Sequence, residues 1–214
     1  MGHSNIFLVG MMGAGKTTVG RALATRMKRE FVDTDRLLVD RTGVPVATVF
    51  EIEGEEGFRR RESAILREVC EHDERVVATG GGIVLAEENL AVMREAGTVV
   101  YLRARIESLW ERTRHDSSRP LLATANPRER LAELLKQREP LYRAAAHIVV
   151  DSGPQSAATL VNRVLALDFS NDGQLTIKRI EVETIERALY LKISLYYCCQ
   201  HRLCAIWASG RKTK

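Results

Sequence analysis

Eight residues near the start, Gly10-Met11-Met12-Gly13-Ala14-Gly15-Lys16-Thr17, restrict what this chain can fold into more than any other stretch. An apolar run, Ile6 to Val9, precedes them, and Val19, Leu23 and Met27 follow at helical spacing. That order reads strand, glycine loop, helix, the context in which G-x-x-x-x-G-K-[ST] cradles phosphate. Glycines let the backbone curl until several N–H groups point inward, and the positive end of the next helix falls on the same spot. Lys16 adds a point charge able to reach the β and γ phosphates, and Thr17 carries a hydroxyl placed to ligate Mg²⁺. The bland alternative is a glycine-rich turn that merely precedes an ordinary helix.

The same alternation continues along the chain. Short apolar runs recur at Ile6 to Val9, Phe31 and Val32, Val76 to Ala78, Val99 to Leu102 and Ile148 to Val150. Between them lie helical patterns: Ile65, Leu66 and Val69 within Glu62 to Glu71, then Leu90, Ala91 and Met93 within Glu87 to Glu95. A further helix is expected from Pro127, apt for a first helical position, to Pro140, and Pro154 to Leu167 closes the pattern. Strands alternating with helices predict an α/β fold, a three-layer sandwich around about five parallel strands. Residues 114 to 126 fit neither element and read as a moving loop. Residues 171 to 175 read as a linker.

Charge divides the chain in the same place. Of its 32 Lys and Arg and 28 Asp and Glu, residues 171–214 hold 8 and 4, which leaves the first 170 residues with 24 of each sign. A neutral body argues against a general nucleic-acid surface. No apolar run approaches the roughly 20 residues of a membrane span, and Met1 to Asn5 has no secretory character, so a cytoplasmic protein is expected. Cys70 is the one cysteine of the body, which was therefore not built on disulfides.

Asp33-Thr34-Asp35 ends the second strand, on the edge where the glycine loop ends the first. Ligands of open α/β sheets bind outside those carboxyl ends, so both acids are expected in the nucleotide cleft. A phosphoryl transfer needs one carboxylate near Mg²⁺ and one acceptor for the hydroxyl proton, tasks that two acids one residue apart can divide. The competing reading makes Asp35 a helix N-cap and leaves Asp33 solvated. Val76-Val77-Ala78 runs into Thr79-Gly80-Gly81-Gly82, with no acid at that strand end. Three glycines leave the main chain bare for a small ligand, or simply form a tight turn.

The glycine loop, Asp-x-Asp, Phe58-Arg59-Arg60-Arg61-Glu62, the triple glycine, Arg119-Pro120-Leu121-Leu122 and Arg138-Glu139-Pro140-Leu141-Tyr142 stand in the order that resembles the shikimate kinases. The resemblance covers about residues 5–167. It implies ATP-dependent phosphorylation of the 3-hydroxyl of shikimate in aromatic amino-acid biosynthesis, with Mg²⁺, by a monomer. It also implies a fold similar to nucleoside monophosphate kinases, with a substrate-binding segment near 33–62, a lid near 112–125 and a kinase domain over residues 1–170.

By that resemblance Gly13, Ala14, Gly15, Lys16, Thr17 and Thr18 hold the nucleotide phosphates. Asp35 binds the reacting hydroxyl and accepts its proton, while Asp33 with Thr17 holds Mg²⁺. Arg59 and Arg138 take the substrate carboxylate, for which the planar guanidinium fork is apt. Glu62 falls on the face of Arg59 and is placed to fix it. Gly81 and Gly82 offer main-chain contacts to substrate. Arg119 reaches the ATP phosphates from the lid and, with Lys16 and Asp35, makes the catalytic set. Arg112 stacks on adenine, and Gln155 touches the same base.

Arg60, Arg61, Arg114 and Arg143 read as solvated charges, and His72 and His115 as surface residues without a metal-ligand partner. Two rivals keep the phosphate loop: a kinase of another acceptor, such as gluconate or a nucleoside monophosphate, and a nucleotide-sensing domain that no longer catalyses. The carboxylate-binding arginines, the triple glycine and the intact Lys16, Asp35 and Arg119 favour shikimate kinase. Nothing in that pattern accounts for residues 171–214. Leu175 to Thr184 alternates like a strand and resembles the opening of a 3-dehydroquinate synthase. Cys198, Cys199, His201 and Cys204 match no paired zinc spacing.

Overall fold

The computed structural model describes residues 5–116, 119–153 and 156–166. The readings made for Gln155 and for the chain beyond 166 lie outside them. The centre is a parallel sheet in the order β2-β3-β1-β4-β5. Its strands are β1 (Asn5–Val9), β2 (Glu30–Asp33), β3 (Arg75–Ala78), β4 (Gly97–Arg103) and β5 (Ile148–Asp151). Each of the five apolar runs is a strand.

Burial shows why the strands order themselves so. All five residues of β1 are buried, which requires cover on both faces of a central strand. Along β5 buried and exposed residues alternate, the signature of a sheet edge covered on one face. The helices are α1 (Lys16–Met27), α2 (Thr34–Thr42), α3 (Val46–Cys70), α4 (Glu87–Ala96), α5 (Ile106–Thr113), α6 (Pro127–Ala145) and α7 (Ala157–Leu165). α1 packs on α7 and over β2 and β3, and α3 packs on both α2 and α4. Gly20 of α1 sits so close to Phe31 of β2 that a β-carbon there would lie 2.6 Å from the ring. No helix of the described residues is long and apolar enough to cross a membrane.

The chain goes from β1 out to the edge strand β2, returns to β3, then passes β1 to reach β4. Winding thus reverses beside β1, and the crevice at such a reversal is where open α/β sheets bind ligands. The glycine loop leaves β1 at that point.

Two expectations need correction, and one competing reading falls. The helix expected from Glu62 begins at Val46, and non-helical backbone at Gly54 (φ 68°, ψ −178°) breaks it into two arms. α6 does not stop at Pro140 but runs on to Ala145. Proline removes one backbone donor and crowds the preceding turn, and the continuing apolar face, with Tyr142 and Ala145 buried, holds the helix together across it. The cap of α2 is Asp33, whose side chain accepts from the Arg36 N–H, while Asp35 lies in the first turn.

Candidate active site

α1 starts at Lys16 without a side-chain cap and without an acid in its first turn, so its leading N–H groups have no anion of their own. The loop before it is held in a left-handed conformation at Gly13 (φ 78°) and Gly15 (φ 95°), which only glycine adopts cheaply. Lys16 Nζ donates to the Gly10 and Met11 carbonyls at 2.8 and 3.0 Å, keeping the ammonium folded over the loop. Burial pulls its pKa down to about 8, against the opposing pull of Asp35. Ser152 Oγ donates to the Ala14 carbonyl at 2.7 Å, and Arg112 donates to the Gly13 and Gly153 carbonyls, both at 3.0 Å. These contacts fasten the loop to the segment after β5. Ser152 carried no signal in the sequence, because a lone serine after a strand looks like any turn residue. Thr18 lies exposed on the first turn of α1.

Thr17 Oγ1 donates a 2.7 Å hydrogen bond to Asp33 Oδ2, and Asp33 Oδ1 accepts from the Arg36 N–H at 3.3 Å. With its proton given to Asp33, the Thr17 hydroxyl keeps its lone pairs for a cation. Hard oxygen donors of this kind suit Mg²⁺, which takes one or two protein ligands and completes its shell with phosphate and water. No cluster of three or more His, Cys, Asp or Glu side chains competes for a metal among the described residues.

Beyond the loop opens a cavity of about 490 Å³, lined by Met12, Asp35, Arg59, Glu62, Gly80, Gly81, Gly82, Arg119 and Arg138. Hydrophobic walls complete it, with Phe50 and Phe58 stacked at 4.3 Å between ring centroids. Arg59 Nη1 donates to Glu62 Oε2 at 2.7 Å and Nη2 to Glu55 Oε1 at 3.1 Å. Arg138 is 3 % exposed and donates to the Gly81 carbonyl at 3.3 Å. Burial raises the Asp35 pKa, opposed first by Lys16, with Arg59 and Arg119 also pulling against it. Asp35 therefore feels both the ammonium of the phosphate loop and the guanidinium groups of the cavity.

The triple glycine does more than bare its backbone. A β-carbon on Gly82 would collide with the Arg59 guanidinium, and one on Gly80 would collide with the Glu62 carboxylate and lie 2.8 Å from Asp35 Oδ1. Two of the three glycines thus make room for charged side chains of the protein itself. Arg119 also lines a second cavity, with Trp110 and His115, and its Nε donates to Asp116 Oδ2 at 2.8 Å. Arg60, Arg61, Arg114 and Arg143 make exposed ion pairs with nearby glutamates.

The shikimate kinase family model matches residues 12–168, which is most of the chain. The chain belongs to the shikimate kinase family. Its relatives in that family include the shikimate kinase of Nitrosospira multiformis, 61 % identical over 152 residues that span 71 % of this chain and 78 % of that one. The shikimate kinase of Ralstonia nicotianae is 55 % identical over 165 residues, covering 77 % and 87 %. Among solved structures, Acinetobacter baumannii shikimate kinase in complex with shikimate superposes with a TM-score of 0.75 at 44 % identity, covering 76 % of this chain and 91 % of that one. The shikimate kinase of Bacteroides thetaiotaomicron gives 0.70 at 31 % identity, covering 75 % and 96 %. As a member of that family, the chain has the α/β P-loop kinase architecture, five parallel strands whose carboxyl ends share one side of the sheet.

Proposed function

We propose that the protein transfers the γ-phosphoryl group of ATP to the 3-hydroxyl of shikimate, giving shikimate 3-phosphate and ADP, a step of aromatic amino-acid biosynthesis. The observation that carries this reading is one cavity lined by Asp35, Arg59 and Arg138 together with Met12 of the phosphate loop. A carboxylated alcohol fits that arrangement: its acid meets two guanidinium groups while its hydroxyl meets a carboxylate.

Lys16 and the leading N–H groups of α1 hold the β and γ phosphates, with Gly13, Ala14, Gly15, Thr17 and Thr18 forming the cradle. Thr17, backed by Asp33, would hold Mg²⁺, which when bound neutralises charge on the phosphate oxygens. The shikimate 3-oxygen forms a bond to the γ-phosphorus as the bond to the bridging oxygen of ADP breaks, and Asp35 takes the hydroxyl proton. Burial raises the Asp35 pKa, which strengthens the carboxylate as a proton acceptor, and Lys16 pulls against that rise. Arg119, swinging out of its pair with Asp116, supplies charge to the transferring group. Gly81 and Gly82 meet the substrate through their main chain, and Arg112 stacks on adenine. Closing of the segment near 112–125 keeps water from the γ-phosphate.

In this reading a monomer acts, in the cytoplasm, where ATP is supplied. Residues 1–170 carry the activity. The test is coupled ADP release with and without shikimate, gluconate or a nucleoside monophosphate. Release that depends on shikimate supports the reading, and hydrolysis indifferent to it removes the reading. Asp35→Asn should abolish turnover with ATP binding retained, whereas Lys16→Ala should weaken the nucleotide step.

A further inference from the structure

Tyr142 has no exposed surface and stands one turn after Arg138 on α6. Its hydroxyl donates to the Gly81 carbonyl, the same oxygen that receives Arg138 Nη1 at 3.3 Å. A carbonyl oxygen has two lone pairs, and here α6 uses both. The phenol oxygen also lies 3.5 Å from Met11 Sδ, so the glycine turn, α6 and the phosphate loop meet at this one hydroxyl. Burial pushes the phenol pKa far above its ordinary value, so the group is a fixed donor at any working pH.

We infer that Tyr142 is a positioning residue for the acid-binding end of the cavity, holding the Gly81 carbonyl where Arg138 meets it. The inference rests on the shikimate reading above. A buried guanidinium stays charged and is costly unless its donors are met, so the direction of the fork follows whatever meets them. With Gly81 pinned by Tyr142, one arm of Arg138 is anchored in a residue that lines the cavity. Without the pin, the carbonyl is free to turn, and the guanidinium turns with it.

The molecule contains its own control. Tyr101 of β4 stacks on Tyr142 with ring centroids 5.1 Å apart and an interplanar angle of 22°. Its hydroxyl is buried and has no hydrogen-bond partner among the described residues. Phenylalanine at either position preserves the stack, but only at 142 does it remove a bond.

The experiment measures initial rates for wild type, Tyr142→Phe and Tyr101→Phe, varying shikimate at saturating ATP and ATP at saturating shikimate. In Tyr142→Phe the KM for shikimate should rise about fivefold, the size of one ordinary hydrogen bond, with kcat and the KM for ATP within twofold of wild type. Tyr101→Phe should match wild type in all three. An unchanged shikimate KM in Tyr142→Phe overturns the inference. So does an equal rise in both substrates' KM, which would mark a general loosening, or an equal rise in Tyr101→Phe, which would assign the effect to the ring stack. Thermal shift on adding shikimate gives a reading without turnover: the shift should shrink in Tyr142→Phe alone. Wild type inert toward shikimate would instead refute the parent reading.

Discussion

Arg59 and Glu62 face each other one turn apart on the second arm of α3, Nη1 donating to Oε2 at 2.7 Å, and the Glu62 side chain is 3 % exposed. Burial raises the Glu62 pKa, and the charge and hydrogen bond of Arg59 pull against that rise. The pair holds the guanidinium over Gly82, where a β-carbon would strike it. An Arg beside an acid three residues on is common on helix surfaces and stabilises little there. Here the carboxylate is out of water, so the partner is essential.

Glu62→Ala should therefore cost about 2 kcal/mol of stability, below the 3–5 of a fully buried pair because Arg59 keeps some contact with water. Its shikimate KM should rise more than its kcat falls. Glu62→Gln retains an oxygen acceptor and should fall between. Chemical denaturation together with initial rates checks both, and a shikimate KM unmoved in Glu62→Ala would detach Glu62 from Arg59.

Alanine substitutions along the triple glycine should differ sharply. Gly82→Ala displaces the Arg59 guanidinium, so stability should fall by no more than in Glu62→Ala, while the shikimate KM should rise at least tenfold as Arg59 loses its charged contact. Gly80→Ala presses on two carboxylates and should cut kcat as well. At Gly81 the nearest atom to an added β-carbon is the Met12 nitrogen at 3.5 Å, an ordinary contact, so that alanine should be tolerated. Equal effects at all three positions would refute this division.

Lys16 sets an alkaline limit. Its pKa, lowered to about 8, means that the ammonium is lost as pH rises through that value. Because kcat/KM reports the free enzyme, kcat/KM for ATP should be level below pH 8 and fall about tenfold per pH unit well above it. Lys16→Arg should remove this limb, whatever its residual rate. Rate profiles from pH 6 to 10 decide the matter.

His147 makes stability depend on acid. Its Nδ1 accepts the Val99 N–H at 3.0 Å, which only the neutral ring can do, and burial followed by Arg94 lowers its pKa. The folded state thus binds the proton less readily than the unfolded chain. The contribution is fully present above the unfolded value of about 6.5 and is lost as pH falls from there through the lowered folded pKa. His147→Gln should flatten that part of the stability curve, measured as denaturation midpoints between pH 7 and 5. A wild-type slope identical to the variant's would exclude the residue.

A chain ending at residue 170 should keep wild-type kcat and both KM values, since every group assigned above lies before that point. The same coupled assay on the shortened chain checks this, and a loss of turnover in a folded product would place part of the activity in the tail.

What the sequence determined by itself was whatever depends on neighbours along the chain. Apolar runs bounded by polar helices located all five strands, because a strand buried on both faces, such as β1, must be apolar throughout. The spacing of Gly13, Gly15, Lys16 and Thr17 announced the phosphate loop, because left-handed glycines and an uncapped helix start are local properties. The first arm of α3 stayed hidden, since Gly54, Gly57 and a run of acids mask its periodicity, and α6 passed Pro140 because packing outweighs one lost backbone bond. Asp33 caps α2 through the Arg36 N–H, and its other oxygen accepts from Thr17, a residue of another helix. Only the tertiary structure decided that Arg59 rests on Gly82, that Ser152 holds Ala14 and that Tyr142 and Arg138 share the Gly81 carbonyl. Those contacts join residues tens of positions apart, and their strength comes from exclusion of water in a folded core, a condition that no local pattern encodes.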